Sequence, residues 1–577
     1  MTLDRSRPFV LLDDARREGA APARLYRDPI EAVATDDPAR LANCLAALRY
    51  ATKHGLHAAG WIAYDAGALA EAPVAADGAA PRTPLLWFGL FERFEEIGPA
   101  DIAALLPDPA GAWAGSPRPA IDRAAYLSAF ARVKDYIAAG DIYQANLTFR
   151  ATVPVAGDPL ALYARIRNRA AAGWGGIVHD GRTTMLSFSP EMFFRLDGRR
   201  LEARPMKGTA ARDTDPASLA ADPKQRAENL MIVDLIRNDL ARIAVPGSVC
   251  VPELFTVETY PTLHQMTSTV VADLAEGADA LSVLEAAFPC GSITGAPKLR
   301  AMEVAAEVES DRRGLYTGAI GRLDAGGGAA FNVAIRTLTI GEDGAASIGL
   351  GSGIVADSEG DDEWRECLAK GAFVAAACPR FDLIETMAFD PHEGFPDLER
   401  HVARAWRSAD ALGFTFDRHD LRNELQAATF RLRDPARVRI LLSPAGRIAI
   451  EVRTAPAPVD GVVVAPVVPL PVAADDFRLA HKTSDRGFYD AARGDHFEVV
   501  FVRPDGLLTE GSFTSLFVAR DGVLLTPPLA RGLLPGILRQ RLIEQGEAIE
   551  ADLRIADLRD EFLLGNALRG LIRARLP

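Results

Sequence analysis

The stretch Asp361-Asp-Glu-Trp-Arg-Glu-Cys-Leu-Ala-Lys-Gly-Ala-Phe-Val-Ala-Ala-Ala377, followed by Cys378-Pro-Arg-Phe-Asp-Leu-Ile384, divides the chain in two. Its first part is spaced as a helix. Pro379 must end that helix, because proline disfavours helical geometry in the residue before it, and a strand-like run begins at Phe381. The spacing therefore predicts one domain over 1–378 and another over 381–577. Glu363 and Glu366 lie three residues apart, project from one helix face and could bind a hard cation such as Mg²⁺. A solvated charged face has the same spacing, so spacing alone leaves both readings open.

Toward the N-terminus, Gly349-Leu-Gly-Ser-Gly353 is read as following a strand and preceding the acidic helix, which suits close backbone approach to an anion. Pro289-Cys-Gly-Ser-Ile-Thr-Gly-Ala-Pro-Lys298 places hydroxyls, Thr294 among them, and turn amides ahead of a helix as a second anion site. Glycine turns are common, and each piece alone is weak. Ala329 to Ile340 alternates like one strand, and Glu228 to Ala241 reads as a helix. The segment Tyr126 to Ile137 reads as a helix stopped by Gly140, with a strand over Ile142 to Phe149. The Pro/Gly/Ala-rich stretch Pro107 to Pro119 looks like a connector between an N-terminal part, 1–115, and a core, 120–378. The class is α+β.

Beyond the boundary, a helix is expected around Arg400 to Leu412, with strands near Arg437 to Leu442 and Ile448 to Arg453. No period of 20–50 residues repeats, so the halves are not a duplication.

At 577 residues the chain exceeds what one core organises. Hydrophobic residues make up 49% and charged residues 25%, a globular composition. The net charge of −14 argues against nucleic-acid binding, which requires clustered Lys and Arg. The five cysteines form no C-x-x-C pair and read as reduced thiols. The N-terminal residues lack an apolar signal region and no run of 18 apolar residues occurs, so neither export nor membrane spanning is expected and a cytoplasmic protein is.

In order along the chain, Gly140-Asp-Ile-Tyr-Gln-Ala-Asn-Leu147, Ser189-Pro-Glu191, Arg204-Pro-Met-Lys-Gly-Thr209, Arg226-Ala-Glu-Asn-Leu-Met-Ile-Val-Asp-Leu-Ile-Arg-Asn-Asp239, Gly291-Ser-Ile-Thr-Gly-Ala-Pro-Lys298 and Gly351-Ser-Gly-Ile354 resemble the chorismate-utilising enzymes. That family includes anthranilate, isochorismate, salicylate and aminodeoxychorismate synthases. The resemblance implies an α/β sandwich with antiparallel sheets over roughly residues 1–377. It implies that Glu228, Glu363 and Glu366 surround Mg²⁺, which holds the ring carboxylate of chorismate. It also implies that Tyr316, Arg336 and Gly351 hold the enolpyruvyl carboxylate, and that His264 and Lys370 lie close to the ring. Lys207 stands where many aminodeoxychorismate synthases carry lysine and anthranilate-type enzymes carry alanine. The resemblance thus implies a nucleophile that attacks the ring before ammonia displaces it. The water-activating members carry a lysine near Gln144-Ala145, which is absent here. No glutaminase motif accompanies these pieces, so ammonia is expected from solution or from a separate glutamine amidotransferase subunit.

In the second half, Leu479-Ala-His-Lys-Thr-Ser-Asp-Arg486, Asp505-Gly-Leu-Leu-Thr-Glu-Gly-Ser-Phe-Thr-Ser-Leu-Phe517 and Thr526-Pro-Pro-Leu-Ala-Arg-Gly-Leu-Leu-Pro-Gly-Ile-Leu-Arg539 offer a lysine, a carboxylate and a glycine turn at a helix start. A pyridoxal 5'-phosphate site needs these three: Lys482 for the Schiff base, Glu510 for the pyridine nitrogen, and Gly536 with Ile537 for the phosphate. Their order resembles the fold-type IV pyridoxal enzymes, which implies that Arg404 also binds the phosphate and that the chain forms a homodimer through this half. Two strands that usually precede the segment matching Phe381 to Met387 are missing from the pattern. Lyase and aminotransferase share Lys482 and Glu510. Fusion to a chorismate-aminating half points to the lyase that turns aminodeoxychorismate into 4-aminobenzoate. Three rivals remain: an anthranilate-type synthase joined to an aminotransferase, a synthase carrying a non-catalytic docking module, and a regulatory ligand-binding protein that keeps the metal glutamates without turnover.

Overall fold

The computed structural model describes residues 3–70, 83–259, 263–559 and 561–577. They divide into two compact units. One holds 1–107, 116–153 and 163–377; the other holds 108–115, 154–162 and 378–577. The stretch expected to be a connector is thus partly structure of the second unit: Trp113–Ala114 pairs antiparallel with Val155–Ala156, and Trp113 packs on Phe381 and Phe414. A buried tryptophan outweighs the Pro/Gly composition around it.

The first unit is built on two ten-stranded sheets. In one, Gln144–Val153 pairs with Ala346–Ile354, which leads through Thr337–Ile340, Thr184–Ser189 and Trp174–His179 to Phe9–Asp13. In the other, Met206–Ala211 and Arg200–Arg204 flank Leu263–Asp273, and His57–Ile62 lies between Ala319–Leu323 and Leu86–Phe91. The sheets meet through one apolar cluster, in which Val10, Tyr26, Val178 and Met185 face Trp61, Trp87, Phe91 and Ile320. Trp61 is fully buried and stacks on Trp87 at 5.1 Å. A second cluster joins the outer face of the second sheet to the helices Leu41–Lys53, Pro223–Ala241 and Ala280–Ala287. This is a sandwich of antiparallel sheets with helices outside, in which alternate residues of each strand face the interior.

The run Ala329 to Ile340 is not one strand. Ala329–Asn332 belongs to the second sheet and Thr337–Ile340 to the first. The chain crosses between them at Arg336, whose φ of +49° is a left-handed conformation that side chains seldom adopt. Gly349 to Gly353, expected to follow a strand, is instead the interior of Ala346–Ile354. Glycine serves there because a Cβ on Gly349 would lie 2.0 Å from the Tyr316 ring and one on Gly351 would lie 2.8 Å from the Leu147 carbonyl.

In the second unit Leu383–Phe389, Ala436–Leu442 and Ile448–Thr454 form an antiparallel sheet covered by Leu398–Ala411 and Arg418–Thr429. A six-stranded sheet includes Ser515–Arg520, Phe562–Asn566 and Gly570–Arg575, and the helix Ile537–Glu544 packs on it. No helix among the described residues is long and apolar enough to cross a membrane.

Candidate active sites

A cavity of about 580 Å³ opens in the first unit. The strands Gln144–Val153 and Ala346–Ile354, the strand Met206–Ala211, and the helices Pro223–Ala241 and Gly360–Gly371 contribute its walls. Lys207, Glu228, Tyr316, Arg336, Gly351, Glu363, Glu366 and Lys370 all line it. Residues as far apart in sequence as Asn146 and Lys370 thus face one space, because the sandwich brings its strand ends and two outer helices together.

Two expected residues are elsewhere. His264 is buried in the strand Leu263–Asp273 with Thr259 Oγ1 at 2.9 Å from Nδ1 and the Arg212 carbonyl at 3.1 Å from Nε2. Its neighbour Gln265 lines the cavity instead, since successive strand residues point to opposite faces. Gln265 Nε2 donates to the Gly208 carbonyl at 2.8 Å and so steadies the strand beside Lys207. Thr294 does not line the cavity; its hydroxyl donates to the Cys290 and Gly291 carbonyls, while Ser292 and Ile293 reach the wall.

Lys207 is held by its backbone. Asn229, fully buried, donates to the Lys207 carbonyl at 3.2 Å and accepts from Ser268 Oγ at 2.6 Å. Burial, with the charge of Lys370 beside it, draws the Lys207 amine below the ordinary lysine value, against the pull of Glu228, Glu366 and Glu191. A Cβ on Gly353 would meet Lys207 Nζ at 2.8 Å and Asn146 Oδ1 at 2.9 Å. Both amide atoms of Gln144, and Asn146 Oδ1, are buried without a hydrogen-bond partner among the described residues. Gly353→Ala is expected to leave the fold intact, because the amine can swing away. It is also expected to displace Lys207, lowering turnover in this cavity about 10²-fold at an unchanged melting temperature.

Glu191 was missed as a site residue although its motif was read. Burial pushes its carboxyl up to about 7, with Ser292 Oγ donating to it at 2.6 Å. Burial also raises Glu228, and the like charges of Asp357 and Glu363 add to it. Glu363 accepts from Ser358 Oγ at 2.6 Å, and Glu366 pairs with Lys370 at 2.7 Å. The donor chemistry of the three glutamates suits a hard cation, and the mutual repulsion of Glu228 and Glu363 is what such a cation relieves. The described residues nonetheless hold no ready cluster of three metal-binding side chains.

The second unit has its own cavity of about 480 Å³, lined by Lys482, Glu510, Arg404, Gly536 and Ile537 together with His401, Arg437, Arg486, Arg493 and Arg569. Burial, helped by the charge of Arg404, pulls Lys482 down to about 7. Burial pushes Glu510 up to about 7, and the Tyr489 hydroxyl donates to it at 2.6 Å. Gly536 caps the helix Ile537–Glu544. Arg404 Nε and NH2 donate to Glu385 at 2.8 and 2.7 Å and NH1 donates to the Pro535 carbonyl at 3.0 Å. Three of its five hydrogens are spent and two remain for a ligand. His401 Nε2 and Arg486 NH1 are buried with no partner among the described residues. A neutral-range amine and a neutral-range carboxyl lining one cavity, a helix start, and an arginine NH1 and an imidazole nitrogen left without partners among the described residues fit pyridoxal phosphate.

Glu385 and His401 carried no signal in the motifs. Burial raises the Glu385 carboxyl, but the Arg404 charge and the His401 hydrogen bond outweigh it and hold the group well below the usual carboxylate range. Glu385→Gln leaves Arg404 buried without its counter-charge and should cost about 3–5 kcal/mol, read as lost stability in urea.

The chain belongs to the chorismate binding enzyme family, whose profile matches residues 7–376, and residues 382–576 match amino-transferase class IV. It is 43% identical over 257 residues to aminodeoxychorismate synthase component 1 of Klebsiella aerogenes, covering 43% of this chain and 57% of that protein. It is 40% identical over 270 residues to anthranilate synthase component 1 of Streptomyces coelicolor, covering 45% and 52%. The solved anthranilate synthase component I of Streptococcus pneumoniae aligns with a TM-score of 0.54 at 26% identity, over 62% of this chain and 93% of that one. The chain spans about half the length of the curated relatives it matches.

Proposed function

We propose that residues 1–378 aminate chorismate to 4-amino-4-deoxychorismate and that residues 381–577 eliminate pyruvate from this intermediate to give 4-aminobenzoate. The first step is supported above all by Lys207, an amine of depressed basicity in the family's cavity. Its neutral form attacks the ring as the 4-hydroxyl leaves, and ammonia then displaces it, leaving nitrogen at C4. Arg336 and the Tyr316 wall face the enolpyruvyl carboxylate, which a guanidinium fork suits. Lys370 and Gly351 frame the ring. Magnesium, when bound by Glu228, Glu363 and Glu366, supplies positive charge for the ring carboxylate.

In the second step pyridoxal phosphate, when bound, acidifies C4–H of the aminated ring. Lys482 holds and moves that proton, while Glu510 would hold the pyridine nitrogen and Arg404 with the Gly536–Ile537 amides would hold the phosphate. The C3–O bond breaks, pyruvate leaves and the ring becomes aromatic. The arginines Arg437, Arg486, Arg493 and Arg569 suit a substrate with two carboxylates. The name component 1 of the relatives points to a separate glutamine amidotransferase as ammonia donor. A homodimer through residues 381–577 belongs to the same reading, and light scattering tests it.

The test is to incubate the protein with chorismate, Mg²⁺, ammonium and pyridoxal phosphate and to identify the products by chromatography and mass. 4-Aminobenzoate with equimolar pyruvate is expected. Anthranilate would overturn the position of amination, and aminodeoxychorismate that never aromatises would overturn the lyase assignment.

A further inference from the structure

We infer that His401 takes up a proton when a tetrahedral oxyanion settles in the second cavity, so that anion binding there is proton-coupled. The natural source of that oxyanion is the phosphate ester of pyridoxal phosphate, and in this the inference rests on the proposed function.

His401 and Arg404 lie three residues apart on Leu398–Ala411, both buried, and both are gripped by Glu385 of Leu383–Phe389. His401 Nδ1 lies 2.6 Å from Glu385 Oε2. Glu385, held ionised by Arg404, can only accept, so Nδ1 carries the hydrogen. A neutral ring with its hydrogen on Nδ1 presents a bare lone pair at Nε2. That atom is buried and without a partner among the described residues, in a ring that lines the cavity with Lys482, Arg404 and Gly536.

A phosphate or sulfate dianion also offers only lone pairs. Against the bare Nε2 it would meet an acceptor, whereas a proton on Nε2 turns the contact into a charge-assisted hydrogen bond between imidazolium and oxyanion. The charged groups around the ring set the direction. Burial disfavours the imidazolium, the charges of Arg404 and Lys482 oppose it and Glu385 favours it, so the ring is neutral in the empty cavity. Arg437, Arg486 and Glu510 complete the wall. A bound dianion adds negative charge on the side opposite Glu385 and shifts the balance toward the protonated ring.

The experiment is calorimetric titration of the full chain, freed of pyridoxal phosphate, with sulfate at pH 7.5 in buffers of different ionisation heat. Sulfate carries no proton at this pH, so any uptake belongs to the protein. Uptake of about one proton is expected, with affinity falling about tenfold per pH unit above that point. His401→Gln should abolish the uptake. Lys482 and Glu510 are the other groups able to take the proton, and Lys482→Ala and Glu510→Gln should each keep the uptake. Uptake lost in either of these variants and kept in His401→Gln would overturn the inference. So would wild-type binding without uptake, a result that needs no variant to fold. If neither sulfate nor phosphate binds the wild type, the phosphate-cup reading falls, and this inference with it.

Discussion

Lys482→Ala protein supplied with chorismate, ammonium, Mg²⁺ and pyridoxal phosphate should accumulate 4-amino-4-deoxychorismate, its pyruvate release slowed at least about 10³-fold. The variant removes the group proposed to take the C4 proton and leaves the first cavity untouched. Chromatography separates the two outcomes. If aminodeoxychorismate fails to appear, the two cavities are not independent sites. Burial, helped by the Arg404 charge, pulls the wild-type lysine down to about 7, so its neutral fraction should rise through pH 7 rather than through 10.5. Trapping of pyridoxal phosphate, followed by absorbance, should have its midpoint there. Because folding depresses this pKa, the unfolded chain binds the extra proton between the two values, and the lysine costs stability at low pH that is regained as pH rises. Removing it should therefore not lower the melting temperature at pH 6, which distinguishes lost chemistry from lost fold.

Lys207→Ala should give the reverse pattern. Loss of a covalent nucleophile that no neighbour replaces should lower amination about 10⁴-fold. Supplied aminodeoxychorismate should still become 4-aminobenzoate at the wild-type rate. Of the other amines lining the cavity, Lys370 is tied to Glu366 and to the Gly351 carbonyl at 3.0 Å and Lys224 is paired with Asp357 at 2.6 Å, so neither substitutes. Retained amination in this variant would reject Lys207 as nucleophile, and equal loss of both steps would reject separate sites.

The second Lys207 determinant, Gly353, was legible only as part of a glycine-rich piece. The sequence set that piece after a strand, where glycines suit close backbone approach to an anion. It is instead a strand whose missing side chains make room for Tyr316, the Leu147 carbonyl and the Lys207 amine. Spacing cannot distinguish these cases, because both demand glycine and differ only in what lies across from it.

Motif order alone was enough for the α+β class, the family resemblance and the residues Lys207, Glu228, Glu363, Glu366, Lys482 and Glu510 as candidates. Short-range constraints are written locally: helix periodicity puts Glu363 beside Glu366, and Pro379 stops a helix wherever it stands. Which side of a strand faces a cavity is not written locally. His264 and Gln265 differ by one position, and only the pairing of Leu263–Asp273 decided that Gln265 faces the cavity while His264 is satisfied by Thr259 and Arg212. The ion-pair cluster of Glu385, His401 and Arg404 likewise exists only because a strand and a helix pack. A lone glutamate and a lone histidine 16 residues apart have no meaning until burial removes water and forces each to find a partner.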